Sequence, residues 1–408
     1  MDGKKFTDIT DRIILVCLTI QIASVSISIA VSSVFFGIWI SLWLIQIITL
    51  RNAVLGSTLR KELFWINLFI VLYILSEIIS RIFAVYPEGA FANLKRLLLF
   101  LIFFVSVIKI VNKEHLYKIM FINLIVLSII SIIEIAGYAY NFGEMISRMP
   151  FSEIRIDYFS YPITSGEIKM MCLLSIFPVI FVKETLPVKK LYLVLLILPV
   201  FISMILTQSR NVFLAFFLCL LIYGIFVNRK LLLIYFVILI AGALILPEEY
   251  TSRIKSITDT SHLSNKSRID MWKVGWEMFK DHPLTGVADS HIKEIYETYK
   301  KPEESSEGVH LHSNIIMILA TTGITGFIAY CGIFISIFLK QIKYYSDSIQ
   351  SLDKSLMFGS LLVFISFHIS GIFEWNFGDH EVMTVFYFLI SVPFVLKNIS
   401  SKNRFSLE

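Results

Sequence analysis

The chain has 408 residues, of which 56% are hydrophobic and only 16% charged, with a mean hydropathy of +0.77. A soluble domain is about 45–50% apolar and about 25% charged, so the composition argues against a water-soluble fold. The formal charge of +5 does not imply a nucleic-acid partner, because in a membrane protein the placement of Lys and Arg matters more than their sum.

Crossing the ~30 Å hydrocarbon layer takes about 20 mostly apolar residues, and by that criterion the sequence predicts about 12 transmembrane helices. They fall near residues 13–30, 34–50, 63–82, 93–111, 117–138, 164–182, 190–206, 211–227, 231–247, 313–339, 355–373 and 382–396. The first follows Lys4, Lys5 and Arg12 with no small-residue cleavage site, so it reads as its own signal. Cys17, Cys172, Cys219 and Cys331 all lie in apolar runs without metal-ligand spacing and read as small hydrophobes.

One connection breaks the pattern. Residues 248–312 are largely polar, and a structureless loop of that length is unusual, so a folded segment is expected. Within it, Ser267 to Asp281 places Ile269, Trp272, Gly275/Trp276 and Phe279 at helical spacing, which fits an amphipathic helix on a membrane interface. The predicted class is therefore an all-α polytopic integral membrane protein with one long, partly helical outer loop. Its expected divisions are residues 1–247 (nine spans), 248–312 (the loop) and 313–408 (three spans and the C-terminus).

Lys and Arg are enriched in short cytoplasmic loops. Here they occur in every short connection of one parity, among them Arg60 and Lys61, Lys109 and Lys113, Lys189 and Lys190, Arg229 and Lys230, and Lys340 and Lys343. The opposite short connections are nearly bare. Both termini are accordingly expected in the cytoplasm, with the long loop outside.

Charges at the edge of a bilayer are costly and mark functional candidates. Arg210, in TQSRN between two spans, stands in a connection that the positive-inside rule leaves without need of a cation; its alternative is an interfacial anchor. A guanidinium there suits a phosphate or diphosphate, because its planar fork donates paired hydrogen bonds. Arg268 starts the interfacial helix, where exposed N–H groups also favour an anion; a solvated charge is the alternative. His310 and His312, in VHLHSN, sit where the outer loop re-enters the membrane. Zinc takes three or four ligands, so this pair is weak evidence for a metal and stronger evidence for a general base. Glu374, Asp379 and His380 cluster in EWNFGDHEV, where Asn376 and Gly378 explain a turn but not the acids. Those acids suit sugar hydroxyls, a histidine or the arginines. Arg155, Asp157 and Lys169, after the fifth span, add polar groups suited to a glycan or a phosphate. Gly323 and Gly326, one helical turn apart, read as a site of close helix packing.

Taken together and in order, TQSRN, SRIDMWKVGWEMFKDHPLTGV, HLHSNIIMILATTGITGF and NFGDHEV resemble the O-antigen ligase and polymerase superfamily over roughly residues 150–390. The resemblance implies a C-type membrane glycosyltransferase in the bacterial inner membrane. It implies transfer of a glycan from undecaprenyl diphosphate to a sugar hydroxyl of lipid A–core at the periplasmic face, inverting and without cofactor or metal. Carried over, Arg210 and Arg268 match diphosphate-binding arginines, His312 the base and His310 its helper. Ser313 stands where an asparagine often follows that histidine. Arg155, Asp157, Trp272, Glu374, Asp379 and His380 remain candidates for glycan contact or support. A polymerase that joins lipid-linked repeats and a protein-directed oligosaccharyltransferase share these features. A transporter or flippase is the rival of another class; intramembrane charges and internal repeats would mark it, and no repeat is visible.

Overall fold

The computed structural model describes residues 3–50, 57–150, 153–184, 186, 188–245, 263–302 and 310–405. Every regular element among them is helical. The apolar runs form α1 (Gly3–Ser24), α2 (Ile29–Leu50), α4 (Phe64–Ile82), α5 (Phe100–Lys109), α6 (Lys113–Arg148), α7 (Pro162–Ile176), α8 (Lys190–Leu206), α9 (Arg210–Phe226) and α10 (Lys230–Ile245), with the short α3 (Ser57–Glu62) before α4. After the outer loop come α13 (Asn314–Asp347), α14 (Ser351–Ser370) and α15 (His380–Phe405).

Seven of these helices are long and apolar enough to cross a bilayer, and two more, Lys190–Leu206 and Arg210–Phe226, are apolar but shorter. The difference from the expected dozen has local causes. The run at 93–111 begins as a 3-10 helix, Ala92–Leu99, before α5. The run at 13–30 is divided, because α1 ends at Ser24 and α2 starts at Ile29. The run at 231–247 is present as α10 to Ile245, and its last residues lie outside those described, as do residues 246–262 and 303–309 of the outer loop.

The bundle has one extensive apolar core in which α7 and α14 are buried along most of their length. Both therefore lack an amphipathic stripe, as expected of helices enclosed on all sides. In the outer loop, α11 (Leu263–Asp281) and α12 (Ile292–Tyr299) enclose a small second core. Met271, Val274 and Met278 pack there with Val287, Ile295 and Leu311.

Two devices fasten the loop to the bundle. The first is a break in α13 at Gly323, whose φ of 66° and ψ of −166° belong to a region open essentially only to glycine. This replaces the expected unbroken span. The carbonyls released by the break do not go unpaired: Val287 N–H donates to Ala320 O at 2.9 Å and Ala288 N–H to Thr321 O at 3.0 Å. Ser80 Oγ of α4 adds a bond to Thr321 O at 2.5 Å. Gly286, also at positive φ, lets the HPLTGV turn lie directly against this backbone. Gly326 is the packing glycine, with Ser76 of α4 beside it.

The second device is a closed ring of four charges. Arg81 bridges Glu77 and Asp289, the latter at 2.6 Å, and Arg96 bridges the same two acids at 2.7 and 2.6 Å. Each carboxylate receives two guanidinium groups and each guanidinium two carboxylates, so buried charge is matched one for one. Asp289 belongs to the outer loop, Glu77 and Arg81 to α4, and Arg96 to the 3-10 segment.

Candidate active site

The site forms where four segments converge. TQSRN ends α8 and starts α9, and Gln208 within it adopts a left-handed backbone with φ of 50°. Its side chain compensates by donating Nε2–H to Ile154 O at 2.9 Å, while Ile156 N–H bonds Leu206 O at 3.2 Å. These bonds hold the segment carrying Arg155 against the segment carrying Arg210. His312 is the second strained residue, with φ of 42°. Left-handed non-glycine residues are uncommon, and such strain concentrates at functional sites.

Between these segments is a cavity of about 200 Å³ whose lining includes Arg155, Tyr161, Arg210, Ser267, Arg268 and His312. Arg210 donates to Ser264 Oγ of α11 at 2.9 Å, which ties the bundle to the loop across the cavity. Burial lowers the Arg268 pKa, with Glu374 pulling it the other way and Arg155 adding to the depression. Three guanidinium groups around one cavity leave a surplus of positive charge, suited to an anion with several oxygens. A second cleft of about 170 Å³ shares Arg210 and Arg268 but is walled by Leu214, Ile269, Trp272 and Phe373. The two arginines thus stand between a polar space and an apolar one.

His312 is oriented by Glu374: Nδ1 lies 3.0 Å from each carboxylate oxygen. Burial raises the Glu374 carboxyl, but the hydrogen bond and charge of His312, with His310 behind it, outweigh burial and bring the pKa below the usual value. An ionised carboxylate can only accept, so Nδ1 of His312 carries a proton in either state, and in the neutral imidazole Nε2 is the atom with the lone pair. This is the arrangement by which a carboxylate fixes the tautomer of a catalytic base. Trp272 donates Nε1–H to the His312 carbonyl at 3.3 Å and packs near Phe373. The His310 ring packs against that of His312 with centroids 4.1 Å apart and planes tilted by 60°. Burial, reinforced by His312, lowers its pKa to about 4.

Of the sequence candidates, the cavity gathers Arg155, Arg210, Arg268 and His312, and Glu374, His310 and Trp272 adjoin it. Asp157 is exposed and outside the lining. Asp379 caps α15, accepting from the Glu381 and Val382 amides, and binds Thr164 Oγ1 at 2.6 Å. His380 is the first residue of that helix and does not line the cavity. Lys169 is not on the outer surface: it is buried in α7, paired with Glu134 at 2.5 Å. A lone pattern of charge in an apolar run does not reveal whether a partner waits on a neighbouring helix.

Sequence reasoning missed the polar layer behind the cavity. Glu167 of α7 is buried, and its Oε1 accepts from Ser370 Oγ, from Asn211 Nδ2 at 3.3 Å and from Asn376 Nδ2 at 3.5 Å. Asn376 Oδ1 in turn accepts from Asn314 Nδ2 at 2.6 Å. Asn211 follows Arg210, Asn314 lies two residues after His312, and Asn376 two after Glu374. One carboxylate therefore links the three segments that present the site. The available signal was an acid inside an apolar run, SGEIKMM.

His310, His312 and Glu374 also bring three potential metal-ligand atoms within 4.8 Å of one another. However, the Glu374 oxygens already face His312 and, at 3.9 Å, Arg268. A cation placed there would compete with both and meet the neighbouring guanidinium charge, so the group suits proton chemistry better than metal binding.

The family model described as O-antigen ligase matches residues 192–331. The matched stretch runs from α8 into α13 and contains Arg210, Arg268, His310 and His312, while Arg155, Glu167 and Glu374 lie outside it. No curated protein matches the chain. The match covers 140 of the 408 residues and shows that this stretch is similar to an O-antigen ligase domain, the same resemblance that the order of the motifs carries.

Proposed function

From an O-antigen ligase-like domain wrapped around an arginine-lined cavity, we propose that this protein moves a glycan from undecaprenyl diphosphate onto a sugar hydroxyl of lipid A–core. The reaction takes place at the periplasmic face of the bacterial inner membrane. The observation that carries the reading is the joint lining of one cavity by Arg155, Arg210, Arg268 and a carboxylate-oriented His312.

In this reading Arg210 and Arg268 hold the diphosphate, and the apolar cleft beyond them, with Leu214, Ile269 and Phe373, receives the first isoprene units. Arg155 meets the glycan-proximal phosphate. The lone pair on Nε2 of His312 takes the proton of the acceptor hydroxyl as its oxygen bonds to the anomeric carbon. The bond from that carbon to the phosphate oxygen breaks on the opposite face, and the diphosphate leaves with the electron pair. Guanidinium groups already in place stabilise the charge that develops there, which lowers the barrier without reorganisation. Glu374 stabilises the imidazolium that results. A single displacement inverts the anomeric centre.

The test is deletion of the gene followed by analysis of lipopolysaccharide. Loss of all capped core, with lipid-linked polymer accumulating, is the expected result. Core that still carries one repeat would identify a polymerase instead, and unchanged core with an unglycosylated exported protein would identify a protein-directed transferase.

A further inference from the structure

A groove of about 750 Å³ runs between α1 and α6. The C-terminal end of α6 leads into the segment carrying Arg155, whereas the groove's charged mouth lies at the N-terminal end. A helix of 36 residues is about 54 Å long, so this mouth and the guanidinium cavity belong to opposite ends of the molecule. Along α1 the walls present Val16, Ile20 and Ala23, with Ile27 in the turn just beyond its end; along α6 they present Ile119, Ile122 and Val126. The three- and four-residue intervals within each helix keep each set on one face, and Val16, Ile27 and Ile122 are exposed.

Both helices run in the same direction along the groove, and each starts it with basic groups: Arg12 on α1, His115 and Lys118 on α6. His115 and Lys118 lie in the first two turns of α6, where the helix dipole favours anions and disfavours cations. The Lys118 charge, with that of Arg12, adds to the positive helix end and makes the mouth complementary to an anion. Lys118 pairs with Glu114 at 2.7 Å, but both side chains are largely exposed, and such pairs exchange readily. The groove's hydroxyls are turned away: Thr19 bonds to Leu15 O and Ser24 to Gln21 O of their own helix. What lies in the groove therefore meets an apolar wall, which suits an acyl chain and not a peptide backbone with polar groups to satisfy. From Arg12 to the end of α1 at Ser24 the wall extends about 18 Å, more than one leaflet's half of the ~30 Å hydrocarbon layer.

We propose that this groove is a binding site for an acidic glycerophospholipid, its acyl chains along α1 and α6 and its phosphate held by Arg12, His115 and Lys118. A zwitterionic lipid brings its own ammonium to the same basic mouth and gains less. The site is independent of the transferase reading and lies in the other leaflet from the cavity.

The test uses the full chain in neutral detergent, titrated with phosphatidylglycerol and with phosphatidylcholine of identical acyl chains, and bound lipid is counted by native mass spectrometry. Phosphatidylglycerol is expected to bind about tenfold or more tightly than phosphatidylcholine, and the Arg12→Gln/Lys118→Gln double substitution to remove that preference. Ile122→Trp fills the groove without altering charge and is expected to weaken phosphatidylglycerol binding as well. Equal affinity of the native chain for the two lipids overturns the proposal. So does a preference that survives the double substitution, or lipid binding that Ile122→Trp leaves unchanged.

Discussion

The chemistry assigned to this protein depends on one hydrogen bond, from Nδ1 of His312 to the Glu374 carboxylate at 3.0 Å. Glu374→Gln keeps the shape but replaces an obligate acceptor with an amide that can also donate, so the tautomer is no longer fixed. Transfer is expected to fall by about 10²–10⁴ with the amount of folded protein unchanged; a loss under twofold in an assay with purified donor would remove Glu374 as the orienting group. His310 has a different role in pH dependence. Its folded pKa of about 4 lies below the ordinary imidazole value of about 6.5, so the unfolded chain binds its proton more tightly. Folding stability is therefore lost as pH falls from about 6.5 to about 4. His310→Asn, which cannot titrate, is expected to flatten that part of a plot of Tm against pH. An unchanged slope would show that His310 is not held neutral.

At the scale of elements, the break in α13 shows how far a sequence can be read. The run at 313–339 has the composition of a single span, and nothing in its periodicity reveals that Gly323 leaves the helix. The reason is tertiary: the released carbonyls are satisfied by Val287 and Ala288, distant in sequence. A Cβ at Gly323 would lie 2.5 Å from the Leu284 carbonyl, in a conformation that costs other residues about 1–3 kcal/mol. Gly323→Ala should lower Tm and activity together, read by thermal unfolding in detergent; a native Tm would mean the break is not needed. By contrast Arg210 and His312 stood out because each is a polar group at a span boundary where topology gives it no purpose, and Arg268 because the pattern put it near the start of an amphipathic helix, which in the structure begins earlier, at Leu263. Glu167 and its asparagine partners were not, because a buried polar layer is recognisable only once three helices are assembled around it.

Over the whole molecule, the helical membrane class followed from composition and run length alone, since a closed barrel, the other structure that satisfies its backbone in lipid, needs short strands of alternating polarity and not uninterrupted apolar runs of about 20 residues. The number of spans did not follow so directly, because 17-residue helices such as α8 and α9 lie at the lower margin of what crosses a bilayer. What joins loop to bundle is the ring of Glu77, Arg81, Arg96 and Asp289, with Arg96 also 5.7 Å over the Trp375 ring next to Glu374. Asp289→Ala would leave two buried guanidinium groups sharing one carboxylate, at a cost of about 3–5 kcal/mol. The expected outcome is earlier loop release, seen as increased hydrogen exchange over residues 263–302; exchange equal to the native chain would show that the ring does not hold the loop.

The arginines are proposed to hold the donor and His312 to activate the acceptor, a division of labour within one site. It is tested most directly by measuring donor binding and single-turnover transfer with a defined undecaprenyl diphosphate-linked glycan on three proteins: native, His312→Ala and Arg210→Lys. His312→Ala is expected to bind donor normally and not to turn it over, whereas Arg210→Lys is expected to lose about ten- to a hundredfold in donor affinity. Native donor affinity in Arg210→Lys, or sustained transfer by His312→Ala, would contradict that division.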